Sequence, residues 1–401
     1  MTREEIQKIP LDLIKTSNNI LLEWCTGLGK SLAAIKVQEF IKATNTILIV
    51  SETAHIKNWQ DEYKKHNKNN LLESTNIFCY ASLKKNVNLE CDLLILDEVH
   101  NSTSDLRLDC LSTIKAKKVV MLSATVDKET LTILGNIFTK LIKHKVTTKQ
   151  AIEWGILPNP IYYLIPLELN KKDVNTSFVV SRGLKNKRVK INSTYKDMWT
   201  ILKNKSYKDL ELTVSCTEVE KNNYINSQMD YYKRMYMSTR NEFLMTKWLR
   251  IGSERKKFLG ESKTNKLKQL LSSGWCKDKR YICFCSNIEQ ANILGNDSTS
   301  INSKKVSKHN TSIIDNFNTG KIDNIFTVGM LQEGQNLNNI DACILVQLDS
   351  GIRPFIQKSG RAFRSKKPII YIFYYKDTHD EVIIKKILEE VDENNIKILK
   401  L

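Results

Sequence analysis

Ile20-Leu21-Leu22-Glu23-Trp24-Cys25-Thr26-Gly27-Leu28-Gly29-Lys30-Ser31-Leu32-Ala33-Ala34-Ile35-Lys36 is the stretch on which the fold turns. A short apolar run ends in a turn with two glycines, and the turn passes through Lys-Ser into a helix-forming run. A phosphate site needs this order. Glycines let the backbone curl until successive N–H groups face one point. The helix start adds its partial positive charge there. In the pattern G-x-x-x-x-G-K-[ST], the lysine reaches the β- and γ-phosphates and the hydroxyl residue serves Mg²⁺. Lys30 and Ser31 take those places, while Trp24 stands at the first glycine position and leaves the pattern partly met. Thr26, Gly27, Leu28 and Gly29 complete the candidate contacts to a nucleoside triphosphate. The plain alternative is a glycine turn that only starts a helix.

The next decisive stretch is Cys91–Leu96 followed by Asp97-Glu98-Val99-His100. Two carboxylates at the carboxyl end of a buried strand are costly unless a cation sits beside them. Next to a phosphate loop that cation is Mg²⁺, with Asp97 holding it through water and Ser31 as second ligand. Glu98 is then placed to polarise a water for attack on the γ-phosphate.

Around these sites the first 145 residues alternate strand-like runs with helical ones. Ile20–Glu23, Thr46–Val50, Asn76–Tyr80, Asp92–Leu96 and Lys118–Leu122 read as strands, and Ser31–Ala43 and His55–His66 as helices. Near-continuous apolar strands separated by helices predict a parallel sheet covered on both faces, with ligands at the strands' carboxyl ends. The last 140 residues repeat the style. Tyr281–Cys285, Asn324–Val328, Ala342–Gln347 and Ile369–Tyr375 read as strands, with helices over Ile288–Leu294 and Lys308–Asn318. The fold class expected is α/β, two parallel-sheet domains in tandem with a basic, largely helical insertion. Its boundaries are drawn at 1–147 (first domain), 148–169 (connection and start of the second), 170–262 (insertion) and 263–401 (remainder of the second).

Charge is unevenly placed. Of 401 residues, 62 are Lys or Arg and 44 Asp or Glu, a formal net charge of +18. Residues 171–270 hold 23 of the cations and 10 of the anions, so this quarter carries thirteen of the eighteen net charges. A polyanion is the partner such a balance suits. Within the insertion Ile225, Met229, Tyr232, Tyr236 and Phe243 recur at helical spacing. Their plain reading is packing on a neighbouring element, and the sharper one is stacking on bases. No run approaches the ~18 apolar residues of a membrane span, and the first residues lack a signal peptide's apolar stretch. The nine cysteines are scattered without a C-x-x-C, which suits reduced, buried thiols inside a cell. Cys283 and Cys285 share one strand face without further ligand-spaced residues to make a metal site.

Asp97-Glu98-Val99-His100, with Ser123-Ala124-Thr125 after the next strand, resembles the DExH box and Ser-Ala-Thr motif of superfamily 2 helicases and translocases. Other stretches are similar to that superfamily's remaining motifs, in the right order. Gln7 is placed like the glutamine that contacts adenine. Val50-Ser51-Glu52-Thr53, followed by Trp59, is similar to the first nucleic-acid-contacting motif, and Phe284-Cys285-Ser286-Asn287 to the strand-end motif of the second domain. Gly329–Leu337 resembles the fifth motif, and Gln357-Lys358-Ser359-Gly360-Arg361-Ala362-Phe363-Arg364 the sixth, Q-x-x-G-R-x-x-R. The resemblance spans both α/β units but not the basic middle. The DEVH box and sixth motif look nearest the DNA-acting DExH branches, whereas Gly-Leu-Gly-Lys-Ser and Glu-Gly-x-Asn-Leu resemble the chromatin-remodeller-like branch. Trp24, Ser51 and Asn336 depart from common residues of the pattern, and none removes a group with obligatory chemistry.

The resemblance implies two RecA-like domains with ATP and Mg²⁺ between them. Lys30, Asp97, Glu98, Gln357, Arg361 and Arg364 are then catalytic, the arginines reaching the triphosphate when the domains close. Gln7, Gly334 and Asn336 join the loop in holding ATP. His100, Ser123 and Thr125 couple the nucleotide to nucleic acid, which Thr53, Lys57, Ser286, Asn287 and Thr327 contact. The activity implied is a nucleic-acid-dependent ATPase acting as helicase or translocase, DNA favoured and RNA not excluded. The alternatives are an ATP-gated nucleic-acid clamp, should Trp24 obstruct the loop, or the motor subunit of a nuclease, restriction or packaging complex. A monomer is favoured, in the cytoplasm, or a host's cytoplasm if the source is a phage or other virus; accessory replication, repair or packaging proteins are candidate partners.

Overall fold

A computed structural model of the chain describes residues 1–85, 88–102, 104–331, 337–349, 351–389 and 391–401. In chain order the first unit runs α1 (Arg3–Thr16), β1 (Asn19–Trp24), α2 (Lys30–Phe40), β2 (Thr46–Val50), α3 (Thr53–Lys65), α4 (Asn69–Glu73) and β3 (Thr75–Cys79). It continues β4 (Glu90–Leu96), α5 (Asp105–Ser112), β5 (Lys115–Ser123), α6 (Lys128–Ile137), β6 (Ile142–Val146) and α7 (Thr148–Glu153). The six strands form one parallel sheet in the order β3-β2-β4-β5-β1-β6.

Successive residues of each strand go to opposite faces, as the pleat requires. Ile20, Leu22 and Trp24 join Leu48, Ile95 and Val120 on one face, under α1, α2 and α3. Leu21, Ile49, Leu94 and Met121 lie on the other, against Leu111 of α5 and Leu134 of α6. Burial on both sides explains why these strands read as unbroken apolar runs. β6 (Ile-Lys-His-Lys-Val) is an edge strand whose two exposed lysines flank a half-buried histidine, so it does not read as an apolar run.

The chain then adds β7 (Ile161–Leu167) directly to the second sheet. It leaves that sheet for β8 (Thr176–Arg182), β9 (Val189–Thr194), α8 (Tyr195–Lys203), β10 (Leu210–Cys216), α9 (Glu218–Thr239) and α10 (Glu242–Ser262). It returns as α11 (Thr264–Ser272), β11 (Tyr281–Phe284), α12 (Ile288–Thr299), β12 (Ser300–Ile301), α13 (Ser307–Asn318) and β13 (Asn324–Thr327). The last elements are β14 (Ala342–Leu345), α14 (Ile352–Ser359), β15 (Ile369–Tyr375), α15 (His379–Leu388) and β16 (Ile396–Ile398). The second sheet is parallel, in the order β12-β13-β11-β14-β15-β7-β16. One of its faces carries α13, α14 and α15 and shares a continuous core with the first unit. The other packs α10, α11 and α12 and the start of α9.

The basic middle is mostly helix, as expected, and also holds a small sheet that the sequence reading did not anticipate. β10 pairs antiparallel with β8 and parallel with β9. Met198, Leu210, Leu212 and Val214 make its core. α9 and α10 form an antiparallel hairpin that turns at Arg240, whose φ is +53°. The helical stripe divides accordingly. Ile225 enters the second unit's core. Tyr236 meets Trp248 across the hairpin, ring centroids 6.2 Å apart, and Phe243 near the turn is 64% exposed. Among the described residues no helix is long and apolar enough to cross a membrane.

Candidate active site in the interdomain cleft

The loop after β1 takes its shape from its glycines. Gly27 and Gly29 have φ of +93° and +81°, where a side chain is strained. A Cβ on Gly29 would come within 2.9 Å of Gln7 Nε2. Lys30 and Ser31 open α2, with Lys30 Nζ donating to the Trp24 carbonyl at 3.1 Å. Trp24 itself turns into the core. Its ring is fully buried and Nε1 donates to His144 Nδ1 of β6 at 2.9 Å. An acceptor nitrogen must be unprotonated, and burial does lower the His144 pKa. The residue that departs from the loop pattern is therefore part of the sheet packing and does not fill the loop.

Gln7 of α1 packs against the loop. It is buried behind the loop and its Nε2 donates to the Leu28 and Gly29 carbonyls, both at 2.9 Å. Leu28 is likewise fully buried, so it supports the loop through packing rather than by its side chain facing the cleft.

Asp97 and Glu98 follow β4 into the same cleft. Trp59 Nε1 donates to Asp97 Oδ2 at 2.8 Å, and the Glu98 N–H to Asp97 Oδ1 at 3.0 Å. Burial, and then the neighbouring Glu98 carboxylate, push the Asp97 carboxyl up to about 6 against the opposing pull of Trp59, His55 and Lys30. Glu98 has φ +45°, a costly backbone for a non-glycine residue, held where the strand gives way to a 3-10 turn over Val99–Ser102. Adjacent carboxylates and the Ser31 hydroxyl are a hard, all-oxygen donor set of the kind Mg²⁺ takes. A bound Mg²⁺ would supply charge neutralisation to the phosphates.

A chain of polar contacts leads away from this pair. His100 Nδ1 lies 3.5 Å from Glu98 Oε2 and 3.0 Å from Ser123 Oγ. Ser123 gives its one hydroxyl proton to the Thr125 carbonyl at 2.9 Å, so His100 Nδ1 must be the donor in the His–Ser bond. The chain crosses to the second unit, where Arg353 Nε donates to Thr125 Oγ1 at 2.8 Å and Nη2 lies 3.4 Å from Asp127. His100, Ser123 and Thr125 are thus together, and Arg353 is a member that no sequence signal indicated.

The second unit supplies the opposite wall. Gln357 of α14 and Arg361 just after it are buried and face a cleft of about 750 Å³ that Thr26, Gly27, Gly29, Lys30, Ser31, Asp97 and Glu98 also line. Arg3, Leu32, Leu157, Asn338 and Phe363 complete it, together with the α3 face of His55, Asn58, Trp59, Asp61, Glu62 and Lys65. Arg364 ends a short 3-10 turn, Ala362–Arg364, and its side chain lies outside the described part of the structure. Gly334 and Asn336 also lie outside the described residues.

The expected nucleic-acid contacts fare unevenly. Thr53 and Lys57 are exposed on α3. Ser286 and Asn287 are part-exposed, but Ser286 Oγ is bonded to Gln290 Oε1 at 3.1 Å and Asn287 Nδ2 to Glu261 Oε1 at 2.8 Å. Thr327 is a correction. It is fully buried and donates its hydroxyl to the Met330 carbonyl at 3.2 Å, so it presents nothing to a phosphate. Trp59, placed by resemblance in a nucleic-acid motif, is buried and turned to Asp97 instead.

Residues 2–128 match the family described as type III restriction enzyme, res subunit, and residues 262–366 match the helicase conserved C-terminal domain. No curated protein matches the chain by sequence. Among solved structures it is similar to Saccharomyces cerevisiae Dbp5 bound to RNA and ADP BeF3, at TM-score 0.57, and to a leucine-to-valine variant of Dbp5 in the same state, at 0.60. Each pairing is 13% identical and covers 99% of this chain and 89% of that one. At that identity the likeness speaks for the fold, two RecA-like domains in tandem. With the res-subunit domain on the first unit and the helicase C-terminal domain on the second, the chain is a helicase-like, ATP-hydrolysing enzyme of superfamily 2.

Proposed function

We propose that the chain binds ATP with Mg²⁺ in the cleft and uses its hydrolysis to move on, or unwind, nucleic acid, as a motor of the DExH type. The observation that carries this is the composition of the two walls: Lys30, Ser31, Asp97 and Glu98 from one unit face Gln357 and Arg361 from the other. Lys30 binds the β- and γ-phosphates, Ser31 and Asp97 hold the metal, and Glu98 orients and polarises the attacking water. Arg361 places a permanent charge against the transferring phosphoryl group, which in a water-poor cleft stabilises its transition state. Because Arg361 belongs to the second unit, catalysis and domain closure become one event, and release of the products loosens it.

DNA is the substrate the sequence motifs favour. The Dbp5 structures are bound to RNA, so both polymers belong in the test. The clamp alternative needed Trp24 to obstruct the loop, and the burial of Trp24 against His144 removes that ground. Lys30→Ala and Glu98→Gln should each lower ATP turnover at least a hundredfold while nucleic-acid affinity survives. Phosphate release measured with single-stranded DNA, duplex DNA and RNA checks this, and full turnover in both variants would overturn the mechanism.

A further inference from the structure

The α9–α10 hairpin is held to the second unit at its root. Gly260 lies so close to Ser286 that a Cβ there would sit 2.1 Å from the serine Cβ, and Gln290 Nε2 donates to the Gly260 carbonyl at 2.9 Å. Lys263, immediately after α10, is fully buried. It donates to Asp380 Oδ2 at 2.6 Å, to the Val346 carbonyl at 2.9 Å and to Gln347 Oε1 at 3.1 Å. These contacts fix the carboxyl end of α10 on the sheet face opposite α14.

A second link joins the two faces, beside Lys263–Asp380. Asp349, four residues beyond β14, pairs through Oδ1 with Lys256 of α10. Its other oxygen, Oδ2, accepts from Lys358 of α14 at 2.6 Å. Lys358 is the neighbour of Gln357 and lies three residues before Arg361, the two residues that bring the second unit to the ATP cleft. The three side chains differ in access: Lys358 is 11% exposed, Asp349 24% and Lys256 46%. Burial raises the Asp349 pKa, but the two ammonium groups override it and hold the carboxyl below its ordinary range. One carboxylate is therefore shared between a lysine open to solvent on the basic hairpin and a lysine nearly enclosed beside the catalytic segment.

We propose that Asp349 is a positioning residue that transmits nucleic-acid occupancy of the hairpin to α14. A backbone phosphate is a stronger, more accessible counter-ion for Lys256 than a shared carboxylate. When it takes Lys256, Asp349 turns wholly to Lys358 and fixes α14, with Gln357 and Arg361 toward the cleft. This rests on the motor reading above.

The test uses the full chain, with ATP turnover measured alone and with saturating single-stranded DNA or RNA, and affinity measured separately. Asp349→Asn should keep basal turnover and affinity within about twofold of wild type and lose at least fivefold of the stimulation. Lys256→Met, which frees Asp349 for Lys358 permanently, should raise basal turnover two- to fivefold and shrink the further stimulation. A merely structural contact has no means of raising basal turnover. Stimulation retained in Asp349→Asn, or basal turnover unchanged or lowered in Lys256→Met, overturns the relay. Wild-type turnover indifferent to both nucleic acids overturns the motor reading itself.

Discussion

At the scale of single residues, the site is governed by which group holds each proton and each charge. Ser123 has one proton and spends it on the Thr125 carbonyl, which makes His100 the donor to Ser123 and fixes its tautomer. Thr125 then accepts from Arg353, so a charge on the second unit ends a chain that begins at Glu98. Removing that charge should weaken closure without touching the phosphate loop. Arg353→Met is expected to lower nucleic-acid-stimulated turnover about tenfold, the factor that one hydrogen bond from a charged donor supports. Arg353→Lys should not restore it, because a lysine cannot present the Nε–H and the second nitrogen from one planar group. Stimulated kcat in the two variants measures this, and wild-type kcat in Arg353→Met would show that Thr125 is merely capped by a surface side chain. His100→Ala should leave basal turnover nearly intact and reduce movement on nucleic acid per ATP consumed, read by strand displacement and phosphate release on one sample.

At the scale of elements, α10 carries an internal comparison. Two of its glycines stand in a helix with opposite surroundings. A Cβ on Gly252 meets only Met229 Cε at 3.6 Å, an ordinary contact with a flexible side chain. A Cβ on Gly260 collides with Ser286. Gly252→Ala should therefore stabilise by about 0.5–1 kcal/mol through helix propensity. Gly260→Ala should destabilise by about 1–3 kcal/mol through overpacking, although its propensity gain is the same. Thermal melting of the two variants should move in opposite directions. The sheets show what a sequence gives away and what it withholds. Strands buried on both faces, such as Thr46–Val50 and Ile369–Tyr375, are legible because every residue must be apolar and β-prone. β8 and β9 escape that reading because none of their residues is fully buried, β8 turning Ser177, Val179 and Ser181 outward and β9 Lys190, Asn192 and Thr194. The candidate site divides in the same way. Lys30, Asp97, Glu98, Gln357 and Arg361 sit in short local patterns. Trp59 on Asp97, Arg353 on Thr125 and the Lys256–Asp349–Lys358 bridge join residues far apart in sequence, and no local spacing encodes them.

At the scale of the whole molecule, the distribution of charge separates two polyanions. Lys30 and Arg361 face the cleft, whereas most of the net +18 lies in residues 171–270, which pack on the second unit away from the phosphate loop. Not every cation there is free for a partner. Arg182 is spent on the fold, donating to the Tyr207, Leu202 and Asn204 carbonyls at 2.7, 3.0 and 2.7 Å and so tying the small sheet to the end of α8. Lys185 and Lys187, in the turn between β8 and β9, are exposed. If this turn lies along a nucleic-acid backbone, each of the two should neutralise one phosphate, and each lost contact should flatten the dependence of log affinity on log salt by about 0.7–0.9. Lys185→Gln with Lys187→Gln should then weaken binding at low salt, reduce the slope by about 1.4–1.8, and leave unstimulated ATP turnover unchanged. Arg182→Gln is the contrasting variant, expected to lower thermal stability through its lost carbonyl contacts. A salt slope unchanged in the double variant would assign the basic turn to solvent and leave nucleic acid to the α9–α10 hairpin alone.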